Sequence, residues 1–486
     1  MSTERFVEAN PYIAGSFVEP TRPKRFGTVS PATGEKLGDF ALCGPEDVER
    51  AVAAARDAFE AWSALTVFDR CAHLEELIAE ITRRRKDLGR ILTLEQGKPY
   101  QSEALAEIDE TIANFRTAID LGKYLDGAMP TSAHADRRAL VYRVPRGVVA
   151  AIQPWNFPLG TASAQIAPAL VTGNTVVALP APSTTLIEYE FARCFEAAGI
   201  PAGVFNLVTG LGSDIGDTLT GHPDVQVVVF TGSVATGQRV AARAAGKAQL
   251  IELGGNGPFV VLDDADLDLA IPDALRAAFG GAGQSCTAAG RFLVHEAVYD
   301  EWASRLTDAV TRDVRLGTPF DDDTTMGPVN NHSLADRLDK YVESATAAGA
   351  VLLAGGRRAE GFPTELYWQP TILAEVDDTM AVTVEETFGP IAPLQRITSD
   401  EEALALMHAS PYGLCSAVYT RDLGRGLKFA EKAPSGVVSV NGTPGNVETH
   451  MPFGGRAGKL SGSGRILGRH PMEEIFTETK LVIVRV

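Results

Sequence analysis

Cys286 stands in a loop rich in glycine, Gly280-Gly281-Ala282-Gly283-Gln284-Ser285-Cys286-Thr287-Ala288-Ala289-Gly290-Arg291. Glycines let backbone and ligand come close to the sulfur. Backbone N–H groups oriented by such a loop are expected to lower the thiol pKa and to hold an oxyanion. A cysteine outside such a loop is commonly a small buried hydrophobe. Cys43, Cys71, Cys194 and Cys415, in helix-like or strand-like surroundings, are read that way. Glu252 closes an apolar run in Ile251-Glu252-Leu253-Gly254-Gly255-Asn256. At the carboxyl edge of a sheet, partial burial would raise its pKa toward that of a useful general base; left in solvent it is an ordinary strand-end carboxylate. Asn156 lies in Gln153-Pro154-Trp155-Asn156-Phe157-Pro158, where two prolines stiffen the turn. Its amide can donate to an oxyanion or satisfy the turn's own backbone.

Two glycine loops follow apolar runs. One is Gly210-Leu211-Gly212-Ser213-Asp214-Ile215-Gly216, the other Phe230-Thr231-Gly232-Ser233-Val234-Ala235-Thr236-Gly237. A helix N-terminus with a bare backbone is a natural pyrophosphate site. Neither loop is the GxGxxG fingerprint, so each alone reads equally as a tight strand-to-helix turn.

The elements around these residues have a clear rhythm. Apolar spacing predicts helices within 45–125, with Val48, Val52, Ala55, Phe59 and Trp62 on one face, then runs at 69–90 and 102–124. Residues 126–130 break the pattern, and 138–146 reads as exposed and extended. Strands are then predicted at 147–152, 175–179, 204–208, 225–230 and 249–253, alternating with helices at 161–172, 185–198, 214–219 and 235–245. That alternation specifies a parallel sheet covered by helices, with ligands at the carboxyl ends of its strands. A second α/β region runs from 259 to about 441. It has helices at 265–279, 299–316, 333–348 and 400–408, and strands at 292–295 and 436–441 among others. The tail, 476–486, ends in a strand pattern. An unpaired apolar strand is an aggregation hazard, so it is expected to find a partner, plausibly on another subunit.

Composition narrows the partners. With 486 residues, roughly three units are expected. The net charge of −18 opposes binding to phosphate backbones and to anionic membranes. No apolar stretch reaches the ~18 residues of a bilayer span. Residues 1–11 lack the apolar core of a secretion signal, so the expectation is a cytoplasmic protein. Five cysteines without a CxxC pair argue against structural zinc and a disulfide framework.

Taken together, the motifs resemble the aldehyde dehydrogenase superfamily over nearly the whole chain. PWNFP at 154–158, GNTVV at 173–177, FTGS at 230–233, ELGG at 252–255, GQSC at 283–286, EETFGP at 385–390, YGL at 412–414 and PFGG at 452–455 occur in the family's order. The resemblance implies an α/β fold: a Rossmann-like cofactor domain at 1–124 and 147–254, an α/β catalytic domain at 255–468, and a small β oligomerisation element from 125–146 and 469–486. It implies oxidation of an aldehyde to a carboxylate with NAD, NADP being possible, in a homodimer or homotetramer. Cys286 would be the nucleophile, forming a thiohemiacetal and then a thioester. Asn156 and the Cys286 N–H would hold the oxyanion, and Glu252 would activate the hydrolytic water.

By the same resemblance Ile152, Pro154, Trp155, Leu179, Pro182, Gly212, Gly216, Phe230, Gly232, Ser233, Leu253, Glu386 and Phe388 would contact the cofactor. Phe157, Gly160, Thr161, Ala164, Ser285, Thr287 and Phe453 would line the substrate channel. Gly160 and Ala164 are small, implying a roomy entrance, and Arg116 and His450 could meet an anionic tail. The chain departs from the family at Leu179, where a Lys usually stands, and at Pro182, where a Glu often does. Gly281 replaces a frequent Asn, and 456–460 runs slightly long. Two other readings fit parts of the pattern. An acylating enzyme would pass the thioester to coenzyme A, a route that needs no hydrolytic base such as Glu252. A non-catalytic binding protein on the same fold is favoured by Leu179 alone.

Overall fold

A computed structural model describes residues 7–486. Its first large sheet holds the five expected strands, Val148–Ile152, Thr175–Leu179, Phe205–Leu207, Val225–Gly232 and Ala248–Leu253, all parallel to their neighbours. Val148–Ile152 lies in the middle. The next strand in the chain pairs on one of its sides, and Val225–Gly232 pairs on the other. Alternate residues feed two cores: Val149, Ala151, Val176 and Ala178 face one, and Val148, Ala150, Val177 and Leu179 the other. Strands covered on both faces have no polar side, which is why they read as unbroken apolar runs. Short antiparallel strands, Tyr12–Ile13 and Gly462–Ser463, extend this sheet at its two ends.

The helices before this sheet are Pro45–Ala64, Val67–Arg83, Arg85–Gln96 and Leu105–Gly122. The single run expected at 69–90 is divided at Arg84, whose backbone leaves the helical region. Thr66 and Asp69 form a reciprocal cap at the start of Val67–Arg83. Between the last two helices Tyr100–Ala104 winds as a π turn, an irregularity often found at functional positions. The second large sheet has the order Val351–Ala354, Thr371–Ala374, Ile391–Ile397, Ala289–His295, Gly257–Val261, Cys415–Tyr419, Val437–Val440. Only its first pair is antiparallel. A three-stranded sheet near the N-terminus, Val7–Ala9, Arg25–Val29 and Lys36–Ala41, was not foreshadowed by the sequence pattern.

The tail strand Thr477–Arg485 finds its partner inside the chain. It pairs antiparallel with Arg137–Pro145 over nine residue pairs. The tail therefore has a partner within the chain, as a ribbon of two strands whose outer edges pair with no further strand among the described residues. Among the described residues no helix is long and apolar enough to cross a membrane.

Under the first sheet, Glu188 sits fully buried with neither carboxyl oxygen hydrogen-bonded. Burial, then the nearby Glu107 and Glu95 carboxylates, push its carboxyl well above the ordinary value of 4.5. The unfolded chain ionises this group near pH 4.5, whereas the folded chain holds it neutral. Its stability contribution is therefore intact below about pH 4.5 and declines as pH rises toward the raised folded value. Replacing Glu188 by Met is expected to stabilise the protein. The gain should widen by up to about 1.4 kcal/mol per pH unit above pH 5. Thermal melts of wild type and Glu188→Met between pH 5 and 8 check this, and a difference in Tm independent of pH would contradict it.

Candidate active site

The crevice follows from the strand order. Where chain connections diverge from a central strand, the loops at the carboxyl ends separate and leave a cleft. Gln153 to Phe157 leave the sheet there, and Pro158 opens the buried helix Pro158–Val171. Proline suits a first helical position because that N–H has no partner in any case. Asn156 is 7% exposed, and its Nδ2 donates to the Gln284 carbonyl at 2.9 Å. One of its two amide hydrogens is thereby used and the other is left for a ligand.

Glu252 lies near the end of Ala248–Leu253, opposite Thr231 in parallel register. It is 4% exposed, its Oε1 accepts no hydrogen bond, and its carboxyl faces the Cys286 thiol and the Thr231 hydroxyl. Gln165 steadies that hydroxyl from the helix below, with Nε2 3.1 Å away. Burial raises the Glu252 pKa to about 8, the two facing groups opposing the shift only in part. Cys286 follows a tight turn in which Gly281 and Ala282 both adopt positive φ, 58° and 55°. Such a conformation is uncommon for alanine. The thiol is enclosed by protein yet keeps partial solvent access. No acceptor among the described residues takes its backbone N–H.

The thiol is not acidified. Burial, then the Glu252 carboxylate, then Cys415 and Glu386, move its pKa well above 9. The expectation of a lowered value rested on backbone N–H groups alone. Burial outweighs them, and the facing carboxylate, 34 residues away in sequence, adds to it because a second negative charge disfavours the thiolate.

Glu386 approaches from the second sheet. Its Oε1 accepts the Gly255 N–H at 2.9 Å, and burial raises its pKa to about 7. Phe388 has φ 52° and meets Trp155 edge-on, with ring centroids 5.4 Å apart. Two glycines permit these contacts. A Cβ on Gly254 would lie 2.1 Å from Glu386 Oε2, and one on Gly255 would lie 2.3 Å from the Cys286 carbonyl oxygen.

The residues expected at a dinucleotide divide into two groups. Ile152, Pro154, Trp155, Gly232, Ser233 and Leu253 gather at the carboxyl ends of the sheet. Ser233 caps the helix Val234–Arg243, its hydroxyl accepting the Thr236 N–H, at an exposed helix start. Gly212 opens the helix Gly212–Gly221, and a Cβ at Gly212 or Gly216 would meet nothing. Helix starts of this kind can hold a diphosphate. Leu179 and Phe230, like Leu253, are buried and feed the core on one face of the sheet, and Pro182 is half-buried at the start of a short turn. Neither Leu179 nor Pro182 offers a hydrogen-bonding group to a ribose.

Of the channel residues, Phe157, Gly160, Thr161 and Ala164 lie at or in the helix that follows Asn156. Ser285 and Thr287 flank the thiol and share a hydroxyl contact of 2.9 Å, and Phe453 is buried. A cleft of about 230 Å³ includes Asn114, Thr117, Ala164 and Thr449 in its walls. Arg116 is exposed, and His450, also exposed, lies 3.6 Å from Glu448. Sequence reasoning missed Lys98, Glu103 and Glu107, buried or half-buried charged groups that brace both loops.

Comparisons with known proteins identify the family. The aldehyde dehydrogenase family profile matches residues 17–482. A 3-sulfolactaldehyde dehydrogenase of Pseudomonas putida is 39% identical over 97% of this chain and 96% of its own. An NADP(+) succinate-semialdehyde dehydrogenase of Escherichia coli is 36% identical, covering 97% of each chain. The crystal structure of a Staphylococcus aureus betaine aldehyde dehydrogenase with NAD+ and a modified cysteine superposes with a TM-score of 0.94 at 34% identity, covering 98% of this chain and 97% of that one. The chain belongs to the aldehyde dehydrogenase family, enzymes that oxidise aldehydes to carboxylates with NAD(P)+.

Proposed function

We propose that Cys286, Glu252 and Asn156 carry this oxidation, with NAD(P)+ held across the crevice by the Gly232–Ser233 helix start and by Glu386. The supporting observation is the convergence of a partly accessible thiol, a buried carboxyl facing it and an amide tied to the same loop. The neutral thiol needs a base at the moment of attack, and ionised Glu252 is placed to take its proton. The sulfur then bonds to the carbonyl carbon of the aldehyde. The spare Asn156 N–H and the Cys286 N–H stabilise the oxygen as it becomes an anion, a contribution of about 3–4 kcal/mol per donor. Bound NAD(P)+ supplies the hydride acceptor, which leaves a thioester on Cys286. Glu252 gives the thiol proton up to solvent and then takes a proton from water, the hydroxyl oxygen attacks the thioester carbon, and the thiolate leaves as the carboxylic acid forms. The aldehyde arrives along Phe157, Gly160, Thr161 and Ala164, past Phe453, to reach the sulfur between Ser285 and Thr287.

A carboxyl in this role, rather than none, favours hydrolysis over transfer to coenzyme A. Leu179 and Pro182 leave the choice between NAD and NADP to contacts elsewhere, and NAD is the reading we prefer. Because the base works only when ionised and its pKa is raised to about 8, turnover is expected to climb with pH through that value. Glu252→Gln should lower kcat by about 10²–10⁴ and remove this rise. Wild-type kcat with an unchanged pH profile in Glu252→Gln would overturn the assignment.

We also propose that the ribbon of Arg137–Pro145 and Thr477–Arg485 joins subunits into a dimer or tetramer. A lone two-stranded ribbon is marginal in water, and this one exposes Tyr142, Leu481, Ile483 and Val484. Light scattering should show an oligomer for wild type and a smaller species for the Leu481→Asp, Ile483→Asp double variant; unchanged mass in the variant would refute the ribbon's role.

A further inference from the structure

Lys98 and Glu107 form an ion pair with side chains 2% and 1% exposed, at 2.5 Å. Lys98 Nζ also donates to the Asn156 carbonyl oxygen at 2.9 Å and stands over the Phe157 ring, 4.0 Å from its centroid. Glu107 Oε1 accepts the N–H groups of Leu159 and Gly160 at 3.0 and 3.1 Å. Phe157, at the cap of that helix, supplies no side-chain cap of its own, so a carboxylate from the helix Leu105–Gly122 satisfies the orphan donors instead. The pair therefore grips the chain immediately before and after Phe157, on either side of the turn that aims the Asn156 amide.

Stability does not explain the pair well. Buried ion pairs are often no better than apolar residues of the same volume. What an ammonium and a carboxylate provide here is direction: one ammonium hydrogen is fixed on the Asn156 carbonyl, and one carboxylate oxygen on the Leu159 and Gly160 N–H groups. The same short segment reaches the second loop, since Glu103 accepts the Gly281 N–H at 2.8 Å ahead of Cys286.

Resting on the assignment of Asn156 as an oxyanion donor, we propose that Lys98 and Glu107 are positioning residues that set this amide for the transition state. They touch neither substrate nor cofactor. Their removal should depress the chemical step while leaving binding nearly intact, because misplacing a catalytic group by about 1 Å costs on the order of 10² in rate.

The test uses the full-length enzyme with one aldehyde and NAD(P)+, reading kcat and KM separately. Lys98→Met is expected to lower kcat by about 10- to 100-fold with both KM values within about threefold of wild type. Glu107→Gln, which keeps shape and one acceptor, should fall between the two. The double variant Lys98→Met, Glu107→Leu replaces the pair by apolar groups and guards against an unfolded single variant; it should melt near wild type and still show the loss in kcat. In an Asn156→Ala background, Lys98→Met should cost less than about threefold, since residues acting through one group are not additive. A double variant with wild-type kcat would overturn the proposal, as would an equal loss from Lys98→Met with or without the Asn156 amide. Full activity in Asn156→Ala alone would instead remove the assignment on which the proposal stands.

Discussion

The site depends on how closely two pieces of backbone can approach. The strand that carries Glu252 runs straight into Gly254 and Gly255, and there the Cys286 loop and Glu386 press against it. A single methyl at either glycine would overlap the Glu386 carboxyl or the Cys286 carbonyl at little more than 2 Å. Neither obstacle is the free end of a flexible chain, since Glu386 is bonded to the Gly255 N–H. The thiol and the carboxyl can face one another only because these two positions carry no side chain. The sheet sets the direction of approach, and the glycines set the distance.

That approach has an electrostatic consequence. Cys286, Glu252 and Glu386 share a poorly hydrated space, and burial raises the pKa of each. Like charges so close oppose one another's ionisation, which adds to the effect of burial. The same logic recurs below the sheet. Lys98 neutralises Glu107, while Glu188 stays protonated beside them for want of any partner. The fold tolerates costly acids where they hold backbone in place, as Glu95 does for the N–H groups of Leu186 and Ile187.

Much of this was legible from residue types and spacing. The five strands of the first sheet were marked by short apolar runs bounded by glycine and proline, a local signal that survives burial on both faces. Glu252 could be placed at a strand end, and its pKa direction foreseen, because burial alone governs it. Cys286 was a different case. Its position in a glycine loop was visible, but its protonation is set by burial and, after that, by Glu252, and no local pattern reports either the enclosure or that pairing. Lys98, Glu103 and Glu107 were hidden for a similar reason: isolated charges in a helical stretch look like a solvated face until tertiary packing turns them inward. The strand Gly462–Ser463, only two residues long, has no periodicity to detect, yet it covers the edge beside Glu252. The break at Arg84 was likewise invisible, since the apolar spacing continues through it.

The central claim is that one sulfur carries the acyl group between oxidation and hydrolysis. Trapping it is the most direct test: the wild-type enzyme mixed with an aldehyde and NAD(P)+, quenched in acid within the first turnover, digested and mapped by mass spectrometry. The account predicts an acyl group on the peptide containing Cys286, formed in step with reduced nicotinamide and absent without the cofactor. Reduced nicotinamide formed with Cys286 unmodified, or an acyl group on Cys415 instead, would contradict it.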